Sequence, residues 1–230
     1  MKVKHIGIVG CSAEGAALCY RTVCVEGEQL MGKHAHPEVS MHTHALAEYM
    51  NCIYRNDWQG VAELMLSSAE KLAKCGAEFL ICPDNTIHQA MPMVAPLSPL
   101  PWIHIAGAVA DEAAARGFRQ LGITGTRYLV ESNVYPQELD ERGIAWRRPP
   151  EDERERINSI IFDELVRGKF SPDALSYFQQ VIEGLKRRGC DAVVLGCTEI
   201  PLLVNDGNSP LPTLDSTRLL ARAALRQATR

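Results

Sequence analysis

Gly76-Ala77-Glu78-Phe79-Leu80-Ile81-Cys82-Pro83-Asp84-Asn85-Thr86 aligns without a gap on Gly189-Cys190-Asp191-Ala192-Val193-Val194-Leu195-Gly196-Cys197-Thr198-Glu199. In each copy a Gly opens the unit, an acidic residue follows two places on, and an apolar run reads as a buried strand. A small turn residue then precedes a side chain able to move a proton. Asp84 falls opposite Cys197. A second pair sits at nearly the same offset: Gly7-Ile8-Val9-Gly10-Cys11-Ser12 resembles Gly122-Ile123-Thr124-Gly125-Thr126, each a strand running into a Gly-small turn.

Working outward, apolar runs at 5–9, 79–82, 102–105, 121–124 and 192–195 read as strands. Segments 14–25, 58–75, 108–116, 151–167 and 172–188 carry helical period. Strands separated by helices predict an α/β fold with parallel sheets, whose ligands bind beyond the carboxyl ends of the strands. The repeat predicts two pseudo-symmetric three-layer domains, 1–106 plus a returning tail at 212–230, and 107–211. A ligand between the two copies would have one acid/base group on each face.

The chain has 230 residues, 46% hydrophobic and 23% charged, enough for a buried core without disulfides or a structural metal. Its 24 Lys plus Arg against 28 Asp plus Glu leave a net charge of −4, so no global basic field draws nucleic acid or an anionic membrane. No apolar run approaches a membrane span, and Met1-Lys2-Val3-Lys4-His5-Ile6 enters a strand without a signal-peptide core, which predicts a cytoplasmic protein. The eight Cys show no C-x-x-C pair, so reduced thiols are expected.

Cys197 follows a strand and precedes Thr198, Glu199 and Pro201. Such a turn faces the ligand side, and the N–H groups of a following helix would favour the thiolate; a small buried hydrophobe is the plainer alternative. Asp84 sits in Pro-Asp-Asn-Thr, good turn chemistry that a helix cap would also explain. Ser12 and Thr126 follow Gly-containing turns at helix starts, where exposed N–H donors suit a carboxylate or phosphate, and N-capping accounts for both equally well. Only two of the three glycines of a dinucleotide fingerprint are present around Ser12. His34, His36, His42 and His44 alternate as on a strand, a spacing metal sites use, but no carboxylate or Cys array joins them; His42 or His44 could instead face a ligand. The run 151–156 is a mixed-charge helix start.

Ala192-Val193-Val194-Leu195-Gly196-Cys197-Thr198-Glu199-Ile200-Pro201 resembles the second signature of the aspartate/glutamate racemase family. Asp84-Asn85-Thr86-Ile87-His88 resembles its first, usually Cys-Asn-Thr-x-His. The similarity spans essentially the whole chain. It implies a cofactor-independent enzyme with two pseudo-symmetric α/β domains, usually a homodimer, and a small amino or carboxylic acid in the interdomain cleft. There two facing thiols remove and return the α-proton. Carried over, Cys197 is one acid/base and Asp84 stands at the other. Asn85, Thr86 and Thr198 hold the α-carboxylate with donors near Ser12 and Thr126. Glu199 joins the binding set, and Lys169 lies where members bring a cation to the ligand.

Two departures follow. Asp84 replaces the first thiol, and an unperturbed carboxyl near pKa 3.9 is a weaker base than a thiol near 8.5. The loop 39–48 lacks the Arg with which aspartate racemases clamp the side-chain carboxylate, leaving His42 or His44 as a pH-dependent stand-in. The expectation is a racemase using Cys197 and Asp84. Its alternatives are a one-Cys decarboxylase or cis-trans isomerase or lyase, and a carboxylate-binding protein that has lost racemase activity.

Overall fold

A computed structural model describes residues 3–230, so that Met1 and Lys2 of the leader argument lie outside the described residues. The chain up to Ile105, with Thr217–Arg230, forms one compact unit, and Ala106–Ser216 forms a second.

In the first unit the elements run β1 (Ile6–Gly10), α1 (Ala13–Met31), β2 (Val39–Thr43), α2 (Leu46–Tyr54), α3 (Trp58–Lys74), β3 (Phe79–Ile81), a 3-10 turn Thr86–Ala90, α4 (Met91–Val94) and β4 (Trp102–Ile103). Their parallel sheet has the order β2-β1-β3-β4. β1 and β3 are buried along their whole length, which is why both read as unbroken apolar runs. Capping fixes where the helices start: Ser12 accepts from Gly15 N at 3.3 Å and Asp57 accepts from Gly60 N at 2.9 Å.

α5 (Ile105–Ala115) leads into the second unit. There follow β5 (Gln120–Thr124), α6 (Arg127–Val130), α7 (Val134–Asp140), β6 (Ala145–Arg147), α8 (Glu151–Asp163), a 3-10 turn Leu165–Arg167, α9 (Pro172–Arg187), β7 (Ala192–Leu195), a 3-10 turn Ile200–Leu202, β8 (Thr213–Asp215) and α10 (Ser216–Ala228). The order β6-β5-β7-β8, again all parallel, repeats that of the first sheet and carries the duplication read from sequence. α8 and α9 bury Ile157, Ile161, Phe178 and Leu185 in a core that includes Val193 and Leu195 of β7, and Cys197 packs at its border.

Four expectations change. Residues 213–215 complete the second sheet through Leu195↔Asp215, so the return to the first unit starts at Thr217, not 212. β4 stops at Ile103 because Ile105 already belongs to α5. The helix expected over 151–167 ends at Asp163. The 3-10 turn that follows closes on Gly168 at φ 72, a left-handed conformation that glycine adopts without steric cost. The edge strands β2, β6 and β8 were not legible as strands.

Candidate active site

In the first unit, the register Ile6↔Phe79, Gly7↔Leu80, Ile8↔Ile81, carried past the strand ends, sets Cys11 beside Asp84. The Cys11 thiol hydrogen-bonds to the Asp84 carboxylate. Burial first, then the neighbouring carboxylate, pushes this thiol well above its ordinary range, so it is a donor and not a thiolate. Cys82, fully buried, is pushed upward by the same two causes. Its sulfur points at the Asp84 carbonyl at 3.9 Å. The buried Tyr49 of α2 faces the same group, and burial holds its phenol neutral.

Asp84 is half-buried, and its backbone is pinned from below. His88 Nδ1 lies 2.8 Å from the Asp84 carbonyl, and the Ile105 N–H reaches His88 Nε2 at 3.3 Å. The pattern requires the Nδ1–H tautomer. Burial, and then His104 with its ring centroid 4.6 Å away, hold His88 well below the usual imidazole range, so it stays neutral. Asn85 is buried and Thr86 half-buried at the start of the same turn.

In the second unit, Thr124↔Leu195 carried two residues on brings Thr126 beside Cys197. Glycine makes this approach possible: a Cβ on Gly196 would lie 2.6 Å from the Thr124 carbonyl oxygen, and Gly125 has φ 156. Cys197, half-buried, donates its thiol hydrogen to Glu199 Oε2 at 2.9 Å, and Thr198 Oγ1 donates to the same oxygen at 2.8 Å. Glu199 itself is only 6% exposed. A carboxylate that accepts from a thiol can take its proton, so the turn contains a base for the sulfur.

This revises one expectation. No long helix follows Cys197, only the 3-10 turn at Ile200–Leu202, and a carboxylate rather than a helix N-terminus faces the sulfur. Glu199, expected among the ligand contacts, is turned onto Cys197 and Thr198.

The remaining residues divide as follows. Ser12 caps a nineteen-residue helix at the carboxyl end of β1. Thr126 caps the four-residue α6, where Arg127 N meets Asn158 Oδ1 at 3.0 Å and Leu129 N meets Thr126 Oγ1 at 3.4 Å. Lys169 is exposed on the loop before α9, with its backbone N–H on the Glu164 carbonyl. His42 faces α3, where its Nδ1 meets Ser68 Oγ at 3.0 Å and its Nε2 meets Lys71 Nζ at 3.1 Å. Burial, Lys71 and His44 lower its pKa, in that order, which favours the neutral ring, and both its nitrogens are engaged. His44 lies on the same side, its Nε2 3.2 Å from Ser67 Oγ. Among the described residues no three His, Cys, Asp or Glu side chains gather as metal ligands.

Sequence reasoning missed the parts of Cys11, Tyr49 and His88. His88 was visible in the first signature, but nothing in the sequence indicated that its ring ties two backbone segments together.

Residues 7–224 match the family model described as Asp/Glu/Hydantoin racemase. The chain belongs to that family. A glutamate racemase from Thermus thermophilus is 31% identical over 160 residues, 67% of this chain and 57% of that protein, so the match spans little more than half of this curated relative. Among solved structures, a Yersinia pestis protein assigned as an Asp/Glu racemase superposes with TM-score 0.92 at 30% identity, covering 99% of this chain and all of the other. An aspartate racemase homologue from Pyrococcus horikoshii gives 0.87 at 27%, over 99% and 100%. The family's fold therefore extends over the whole described chain, and the turns holding Asp84 and Cys197 both lie within the matched residues.

Proposed function

We propose that this chain is a cofactor-independent amino-acid racemase, an isomerase in which Cys197 and Asp84 transfer the α-proton on opposite faces of the substrate. The observation that carries it is the Cys197–Glu199 contact: a half-buried thiol 2.9 Å from a buried carboxylate that can take its proton. In one direction Glu199 accepts the thiol proton, the thiolate removes the α-hydrogen, and Asp84 in its acid form delivers a proton to the other face. In the other direction the Asp84 carboxylate removes the hydrogen and the Cys197 thiol supplies one. Asp84 is the variant of the first catalytic thiol, and because oxygen and sulfur bases differ, kcat and KM differ between the enantiomers in the same proportion, the equilibrium constant of a racemisation being one.

Asn85, Thr86 and Thr198, with Ser12 and Thr126, are assigned to the α-carboxylate, and Lys169 to a second anionic group. Of the sequence-derived binding set, Glu199 is assigned to Cys197 and His42 to the contacts with α3. The substrate is a small amino acid or related carboxylic acid. A cytoplasmic homodimer needing no cofactor, nucleic acid or membrane is the form we assign to the family member.

The test is incubation in deuterated water with L- and D-amino acids, following the α-proton signal by NMR. Loss of signal that disappears in Cys197→Ala supports the assignment. No exchange with any amino acid would set racemisation aside in favour of decarboxylation, alkene isomerisation or binding alone.

A further inference from the structure

The two units contain the same pair of functional groups in opposite order. In the second, the sulfur of Cys197 is half-buried and its carboxylate partner, Glu199, lies behind it at 6% exposure. In the first, the carboxylate of Asp84 is half-buried and its thiol partner, Cys11, lies behind it at 5% exposure. The origins differ: sheet register sets Cys11 after β1 beside Asp84, whereas Cys197 and Glu199 meet within one turn, where register brings Thr126 alongside.

We propose that Cys11 is a positioning residue for Asp84: its S–H donates to the carboxylate, orients it at the end of β3 and keeps it in the ionised form that accepts a proton. This rests on Asp84 being a proton-transfer group. The titratable groups facing it are Cys11 from the turn after β1, Cys82 at the end of β3, Tyr49 from α2, and His88 through the Asp84 carbonyl. All are neutral in the folded protein: burial raises both thiols and the phenol and lowers the imidazole. A neutral S–H donor therefore favours the carboxylate form in a setting otherwise short of water.

The direct readout is the protonation of Asp84, followed by 13C NMR of protein labelled at the aspartate carboxyl carbon, with Asp84→Asn identifying the resonance. Cys11→Ala and Cys11→Val both remove the donor, one leaving space and one filling it, so failure of either to fold leaves the other. Cys11→Ser restores a donor. In the donor-less variants Asp84 titrates about one pH unit higher than in wild type, the size expected for losing a hydrogen bond to a charged group. The acidic limb of kcat for α-proton exchange moves the same way, with KM within about twofold. Cys11→Ser returns both toward wild type. An Asp84 titration unchanged in Cys11→Ala or Cys11→Val would overturn the proposal. Undiminished exchange in Asp84→Asn would overturn the assignment of Asp84 instead, while the NMR titration still decides whether Cys11 donates to it.

Discussion

The sulfur of Cys197 and the carboxylate of Glu199, two residues apart in one turn, are joined by a 2.9 Å hydrogen bond at the carboxyl end of β7. A helix N-terminus would stabilise a thiolate as a fixed dipole. A carboxylate instead has to take the proton before the sulfur can become a base, so in the proposed mechanism the turn switches between acid and base.

Glu199→Gln keeps the shape and both short contacts but cannot take a proton. We expect kcat for α-proton exchange to fall about 100-fold, within the range for general acid–base groups, with KM within about twofold. The melting temperature is unchanged within a few degrees, because a neutral amide is easier to bury than a carboxylate. Steady-state kinetics and thermal unfolding of the purified variant check both.

Gly196→Ala tests whether the close approach of the turns is required. The added Cβ would meet the Thr124 carbonyl oxygen at 2.6 Å and Leu129 Cδ2 at 2.5 Å. Backbone cannot yield as a flexible side chain does, so the variant is expected to lose about 1–3 kcal/mol or more in urea unfolding and to displace Cys197.

His88 gives the protein a pH-dependent stability. Its folded pKa lies well below 6.5, while the unfolded ring titrates near 6.5, so below that pH the unfolded chain binds the extra proton. Stability supplied by this group is present above pH 6.5 and is lost as pH falls toward the folded pKa. The slope approaches about 1.4 kcal/mol per pH unit. His42 shifts in the same direction and adds to it. Urea unfolding between pH 7 and pH 5 measures the slope, which His88→Gln reduces.

His42→Asn separates a structural ring from a ligand contact. The variant loses the contacts to Ser68 and Lys71, costing about 1–2 kcal/mol of stability, but KM for any accepted substrate stays within about twofold. A large rise in KM would restore His42 to the binding set.

The central strands were legible because both faces are covered, leaving apolar runs such as Phe79-Leu80-Ile81 and Ala192-Val193-Val194-Leu195. The edge strands β2 and β6 were not, unlike the edge strand β4: Val39-Ser40-Met41-His42-Thr43 and Ala145-Trp146-Arg147 are partly exposed and mix polarities, so neither period stands out. Asp84 and Cys197 could be found because each follows a legible strand inside a repeat. Cys11 could not, because its tie to Asp84 comes from the pairing of β1 with β3, and no local pattern encodes which strands are neighbours. Glu199 was visible beside Cys197, but its contact with the sulfur was not, because that contact depends on how the turn after β7 folds.

The most direct test of two acid/base groups on opposite faces is the early distribution of deuterium. A single enantiomer of an accepted amino acid, starting with aspartate and glutamate, is incubated in deuterated water, and the α-deuterium content of both enantiomers is followed by chiral separation and mass spectrometry. Two separate groups place deuterium in the product enantiomer first, while the remaining substrate keeps its hydrogen. Deuterium appearing equally fast in both enantiomers would assign removal and return to one group, and would contradict the pairing of Cys197 with Asp84.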